Sequence, residues 1–204
     1  MRRRQEQLSL RSTYGNLESG RSIALLFRLI ASVLAGTIAI ALNMALLSFA
    51  SAAGISTSHG GLFRLFTSII SSLGWSLRPI DGRSNLPLYS QAIFHILTGL
   101  AMAIGYALMI EPRLPGRAYF KGLAYGAVVW CFNAFVVLPL TGEGLAGSRN
   151  LNTVGQIVFA VAHMSFFLTL SVLYEIPRTD RVSLRRRRVS ATEIYPYQGE
   201  RHHE

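Results

Sequence analysis

The residues best suited to chemistry are two histidines that lie inside apolar stretches, His95 and His163. Each is followed eleven residues later by a tyrosine, Tyr106 and Tyr174. Eleven residues are close to three helical turns, so each histidine and its tyrosine share one helical face. Two neutral imidazoles in a helix bundle could ligate the iron of a b-type haem or hydrogen-bond a quinone. In the alternative interpretation each histidine only joins neighbouring helices, at about 0.6 kcal/mol per hydrogen bond.

Two asparagines in the other apolar stretches complete the set of candidate site residues. Asn43 and Asn133 each lie seven residues after a glycine, and this matched spacing favours two copies of one hairpin related by an axis along the membrane normal. At 1.5 Å per residue, both asparagines and both histidines lie in the same half of the membrane, roughly 10–15 Å from the helix ends. Because a polar side chain facing lipid is costly, we expect these four residues to point inward and lie close together. The two tyrosines fall near the opposite helix ends, where their hydroxyls can reach headgroups or a partner helix.

The helices that must position these side chains are four apolar stretches, each long enough to cross a bilayer. Half of the 204 residues are hydrophobic, only 15% are charged, and the mean hydropathy is +0.35, whereas a soluble domain is about 25% charged. We therefore predict an all-α membrane protein whose four transmembrane helices form an antiparallel bundle. The predicted spans are residues 29–50, 91–110, 120–140 and 153–174. They lie within a membrane domain of residues 22–176, which is flanked by a mobile basic arm (1–21) and a basic tail (177–204).

The net charge of +10 fits this topology without a nucleic-acid partner. A strongly basic soluble protein suggests nucleic-acid binding, but here the basic residues flank the apolar stretches. With both termini on one side, sixteen of the twenty lysines and arginines fall on that side. The positive-inside rule then places both termini in the cytoplasm. Arg185–Arg188 in the tail would also attract anionic headgroups.

The connection between the first two spans contains an amphipathic segment at residues 61–75, GLFRLFTSIISSLGW. Its apolar residues lie on one helical side and Arg64 and Thr67 on the other. This pattern is typical of a helix that lies in the membrane interface, with Trp75 at headgroup depth. The alternative interpretation is a lid or a docking surface for a partner.

The spans lack the patterns of known catalytic sites. No charged side chain lies in the central part of any span, although an ion-coupled transporter normally needs one. Motifs for a nucleophile, a zinc protease or a P-loop are missing, and the single cysteine, Cys131, excludes a disulfide framework. We predict no catalytic site, no metal site and no enzyme. Gly122 and Gly126 form a GxxxG pair, which predicts a close helix contact.

Three sequence elements carry a resemblance over residues 86–176: HILTGLAMAIGYAL, GLAYGAVVWCFNAFVVLPLTGEG and AHMSFFLTLSVLY. In them the chain resembles the YagU-like group of small, uncharacterised bacterial inner-membrane proteins. The resemblance implies a four-helix protein of the bacterial plasma (inner) membrane. It implies no activity.

The function favoured by the sequence is that of a non-enzymatic accessory or scaffold subunit of a membrane complex. Its partners would be the lipid bilayer and either other membrane subunits or a second copy of itself. No cofactor is predicted. The first alternative is a membrane electron-transfer protein that binds b-haem or a quinone through His95 and His163, and the second is a small-molecule channel or carrier along the bundle axis.

Overall fold

The computed structural model describes residues 2–57, 60–73 and 88–194, and gives side chains for 22–57, 60–73 and 90–176. These ranges contain helices and no strands. The α-helices are α1 (Arg2–Ala52), α2 (Gly61–Ser72), α3 (Leu88–Gly105), α4 (Ala118–Phe132), α5 (Leu138–Leu140) and α6 (Thr153–Ile194). A π-helical turn, Tyr106–Ile110, continues α3, and a second one, Asn133–Val137, joins α4 to α5.

Four segments are long and apolar enough to cross a membrane, which confirms the prediction of an all-α, four-span membrane fold. The chain is a multi-pass membrane protein, and the exposed apolar side chains of these segments contact lipid. The first of these segments contains the predicted span 29–50. The four spans are Ser22–Ala52, Ser90–Ile110, Ala118–Leu140 and Thr153–Ile176.

The first and last helices continue well beyond the membrane segments. Residues 2–21, predicted as a basic arm, are helical and continuous with the first span. That segment contains no proline and is rich in Arg, Gln, Glu and Leu, which favour helix, so the polar composition does not end the helix. At the other end α6 extends to Ile194. The last ten residues of the tail, 195–204, lie outside the described residues.

The bundle is held by α1, which packs against α3 and α6, and by α4, which packs against α6. We call the end that carries α2 the α2 end, and the end where α1 and α6 leave the bundle the termini end. Close helix contacts require glycine at several points. A Cβ on Gly99 would lie 2.6 Å from Ile40, and a Cβ on Gly122 would lie 2.6 Å from the carbonyl oxygen of Phe167. The GxxxG pair therefore brings α4 against α6 of the same chain.

Helix α2 occupies most of the predicted amphipathic segment and ends at Ser72. Gly60 precedes it with φ 76°, a left-handed conformation that glycine adopts readily. The rings of Phe63 and Phe66 pack on Phe94 of α3, with centroids 5.0 and 5.4 Å away. The helix is thus attached to the bundle by aromatic contacts. The predicted headgroup position of Trp75 lies outside the described residues.

Candidate functional site

A cavity of about 230 Å³ lies inside the α2 half of the bundle. Its walls come from α1, α3, α4 with its π-helical turn, and α6, and residues 60–63 at the start of α2 cover it. Most of the wall is aliphatic or aromatic. The polar residues in the wall are Asn43, Gln91, His95, Thr98, Asn133 and His163. The structure therefore places all four residues of the polar cluster proposed from depth and spacing in the wall of one cavity.

Asn43 connects three helices through one amide group. Its Nδ2 donates to the carbonyl oxygen of Ala162 on α6 at 2.7 Å. That donation identifies the other amide atom as oxygen, and Oδ1 lies 2.9 Å from His95 Nε2 on α3. His95 Nε2 must therefore carry the hydrogen and donate to Oδ1. In the neutral imidazole, His95 Nδ1 is then a hydrogen-bond acceptor.

His163 takes the opposite tautomer because its partner lies on its own helix. Its Nδ1 lies 3.0 Å from the carbonyl oxygen of Phe159, one turn earlier in α6, and can only donate to it. The remaining nitrogen, Nε2, is an acceptor. The imidazole packs against two aromatic rings, with centroid distances of 4.5 Å to Phe159 and 5.4 Å to Trp130, and these two rings also contact each other.

Asn133 stands at the first position of the π-helical turn Asn133–Val137. Such turns insert one extra residue into a helix and are frequent at functional sites. The side chain is half-buried in the cavity wall, and its amide has no hydrogen-bond partner within the described part of the chain. It thus offers both a donor and an acceptor to whatever occupies the cavity.

Tyr106 and Tyr174 do not belong to this site. They lie toward the termini end, with 0% and 1% of their surfaces exposed, so of the two expected environments, headgroups or a partner helix, their side chains take the second. Their rings meet almost perpendicularly, with centroids 5.5 Å apart. Together with Leu170, and with Phe167 of the cavity wall, they fill the centre of the bundle. Each tyrosine shares a helical face with the histidine eleven residues before it, but it lies about three turns further along the helix axis.

At the termini end, four charged residues form one network. Their basic members were expected only to set the topology, and the acidic members were not predicted to have a role. Lys121 Nζ lies 3.3 Å from Glu175 Oε1 and 4.0 Å from Glu111 Oε1. Arg28 Nη2 lies 3.1 Å from Glu111 Oε2 and 2.6 Å from the carbonyl oxygen of Ala107. Each of the four spans, or the residue directly after it, contributes one charge. The signal in the sequence was that charges of both signs flank the apolar stretches.

At the α2 end, sequence reasoning also missed Glu143, which is only 1% exposed. It lies in the loop after α5, between two glycines with positive φ. Its Oε1 lies 4.0 Å from Arg64 Nη1 of α2 and beside Gly61, where an added Cβ would come within 3.2 Å. A carboxylate at the first turn of a helix is favourable because the helix dipole is positive there. Glu143 therefore holds the start of α2 over the cavity.

The cavity does not fit a haem held by both histidines. His95 Nε2, the nitrogen that would normally reach an iron, already donates to Asn43 Oδ1. The cavity, at about 230 Å³, is also smaller than typical pockets for drug-sized ligands, roughly 300–1,000 Å³, and haem is at least of that size. Among the residues the structure describes, no three His, Cys, Asp or Glu side chains come together as a metal site.

Comparison with protein-family models, curated proteins and solved structures gives no match to this chain. The resemblance of residues 86–176 to the YagU-like group therefore stays a prediction.

Proposed function

We propose that this membrane protein is non-enzymatic and binds one small lipophilic molecule in the cavity near the α2 end. The observation that carries the proposal is a largely apolar cavity whose wall presents His95, His163 and Asn133. Ligand sites commonly have this composition, an apolar lining with a few placed polar groups that fix orientation.

The size of the cavity limits the ligand. An apolar cavity of about 150 Å³ is enough to bind benzene. The volume here, about 230 Å³, suits one ring with a short apolar substituent. The aromatic side chains of Phe94, Phe159 and Phe166 in the wall suit such a body.

The hydrogen-bond pattern supports a role beyond joining helices. Asn43 uses its amide to join α1 to α3 and α6. Within the described residues, His163 in contrast bonds to its own helix alone. Polar groups inside a membrane are costly unless they have partners. A ligand in the cavity would supply partners for His163 Nε2 and the Asn133 amide.

The packing of the bundle argues against a pore along its axis. The centre of the bundle, from Phe167 in the cavity wall toward the termini end, is filled by buried side chains, which include Tyr106, Tyr174 and Leu170. The described residues therefore form no continuous polar path from one end to the other. The accessory or scaffold role stays a separate prediction, since a ligand-binding subunit can also belong to a complex.

The same proposal includes the orientation in a bacterial plasma membrane, with both termini in the cytoplasm. It is supported by the sixteen basic residues on the side of the termini against four on the other. The cavity then lies in the outer half of the membrane, and α2 lies at the outer surface.

The fluorescence of Trp130 can test the proposal, because this ring packs against His163 and Phe159 in the cavity wall. The protein carries Trp75→Phe, which leaves Trp130 as its one tryptophan. It is placed in nanodiscs and titrated with 4-butylphenol and with 4-butylanisole, using empty nanodiscs to correct for partitioning. We expect a saturable change with at least one of these probes.

Two adjacent valines provide matched variants. Val129 lines the cavity, whereas Val128 is 69% exposed on the outer face of α4. Val129→Phe should fill the cavity and weaken probe binding by about tenfold or more, an effect of the size expected when a pocket loses room for its ligand. Val128→Phe should bind as the parent does. The proposal fails if neither probe saturates, or if the two variants bind alike.

A further inference from the structure

The chemical class of the ligand follows from the tautomers of the two histidines, and this step rests on the proposed function. We infer that the cavity takes a phenol-type molecule, an aromatic ring whose hydroxyl donates a hydrogen bond, in preference to an analogue that only accepts. A quinol belongs to the preferred class, and the corresponding quinone does not.

His95 is fixed as an acceptor toward any ligand. Asn43 cannot exchange its amide oxygen and nitrogen, because Nδ2 donates to the carbonyl oxygen of Ala162 at 2.7 Å. Asn43 Oδ1 therefore requires the hydrogen on His95 Nε2. If the hydrogen moved to Nδ1, two lone pairs would face each other across 2.9 Å.

His163 is fixed in the same sense by a backbone carbonyl, which cannot be turned into a donor. Its Nδ1–H donates to Phe159 O at 3.0 Å, so Nε2 keeps its lone pair. Moving the hydrogen to Nε2 would break that bond inside the membrane. Both imidazoles belong to the cavity wall and each keeps one lone pair, and neither can donate to a carbonyl or ether oxygen without losing its protein partner.

Asn133 does not remove the preference. Its amide can donate or accept, so it can bind either kind of ligand. The preference for a hydroxyl comes from the two histidines. Their lone pairs accept a hydrogen bond from a ligand that donates, whereas a ligand that only accepts would be repelled by them. Sites built to hydrogen-bond a hydroxyl discriminate strongly against analogues that lack it.

The test compares 4-butylphenol with 4-butylanisole, which differ by methylation of the hydroxyl. With the Trp130 readout in nanodiscs, we expect the phenol to bind about tenfold or more tightly, after correction for partitioning. In His163→Phe, which keeps an aromatic ring but removes the acceptor, the preference should fall severalfold. This variant leaves the Asn43–His95 connection between helices in place, and Cys131→Ser, at an exposed position, is the matched control.

The outcomes separate the two proposals. Equal affinities of the two probes, or tighter binding of the anisole, would overturn the ligand class while saturable binding still supports the cavity as a site. Saturation by neither probe would overturn both. An unchanged preference in His163→Phe would overturn the role of Nε2.

A direct measurement covers the case in which His163→Phe does not fold. Nitrogen NMR of histidine-labelled protein distinguishes a nitrogen that carries hydrogen from one that carries a lone pair. We expect the lone pair on Nδ1 of His95 and on Nε2 of His163, with both signals shifted by 4-butylphenol. A hydrogen on Nε2 of His163 would contradict the inference.

Discussion

His95 Nε2 lies 2.9 Å from Asn43 Oδ1, and this contact joins α3 to α1 across 52 residues of sequence. The corresponding residues of the second half, His163 and Asn133, do not repeat it. His163 bonds to Phe159 of its own helix, and Asn133 lies in a π-helical turn. The two halves thus share residue types at matched spacing but not hydrogen bonds. All four residues line the cavity, but only the first pair also joins two helices to each other.

The first prediction is that Asn43 and His95 are energetically coupled. Asn43→Leu and His95→Leu should each lower the free energy of unfolding by about 1 kcal/mol, since each removes an interhelical hydrogen bond inside the membrane. The double variant should lose less than the sum, with a coupling energy of about 0.5–1.5 kcal/mol. Unfolding in mixed micelles by SDS titration measures all three. Additive losses would contradict the contact.

The fold could be predicted because it depends on patterns that are local in sequence. Four apolar stretches of about twenty residues leave no alternative to membrane helices. The extension of α1 to Arg2 was missed because a polar segment without proline is compatible with either helix or coil. The π-helical turns at Tyr106 and Asn133 were missed because no residue pattern marks the inserted residue.

Only part of the candidate site could likewise be predicted from the sequence. Depth and inward orientation follow from the cost of polar groups in lipid, so Asn43, His95, Asn133 and His163 could be proposed together. Which of them bond to each other depends on the rotation and contact of the helices. The buried position of Glu143 and the pairing of Lys121 with Glu175 depend on contacts between distant segments, which one sequence does not specify.

The second prediction is that the purified protein shows no Soret band after expression with added haem precursor. His95 Nε2 donates to Asn43, so bis-histidine ligation would require breaking the contact between α1 and α3. Visible absorbance of the protein in detergent measures this. A band that disappears in both His95→Ala and His163→Ala would show that the histidines ligate iron after all.

The third prediction concerns Lys121, whose surface is only 7% exposed. Lys121→Met should lower the free energy of unfolding by about 2–3 kcal/mol, because Glu175 and Glu111 lose a buried cation. This loss is smaller than that expected for a fully buried ion pair, because Glu175 is partly exposed. Lys121→Met with Glu175→Gln should recover part of the loss. Arg113→Met is the control, since Arg113 is exposed and bonds only to backbone carbonyls. An equal loss in Arg113→Met would contradict the importance of the network.

The fourth prediction is that Gly122 cannot be replaced by alanine without loss of stability. Its Cβ would lie 2.6 Å from the carbonyl oxygen of Phe167 and would collide with the side chain of Ser171. Overpacking of this kind costs about 1–3 kcal/mol. Ser171→Gly should rescue the variant only partly, because the backbone oxygen remains. Gly105→Ala is the milder comparison, since its Cβ would meet only the movable hydroxyl of Tyr125 at 3.3 Å. Thermal unfolding in detergent should rank Gly122→Ala below Gly105→Ala, and the reverse order would be inconsistent with the contact.

The fifth prediction concerns the orientation of the chain in the membrane. Ser148 is exposed in the loop between α5 and α6, at the α2 end, and Arg113 is exposed in the connection between α3 and α4, at the termini end. In a Cys131→Ser background, Ser148→Cys should react with a membrane-impermeant maleimide added to intact cells, because the charge distribution places the α2 end outside. Arg113→Cys should react only after the cells are lysed. The opposite labelling pattern would place both termini outside and the cavity in the inner half of the membrane. Labelling of both cysteines in intact cells would contradict four membrane crossings.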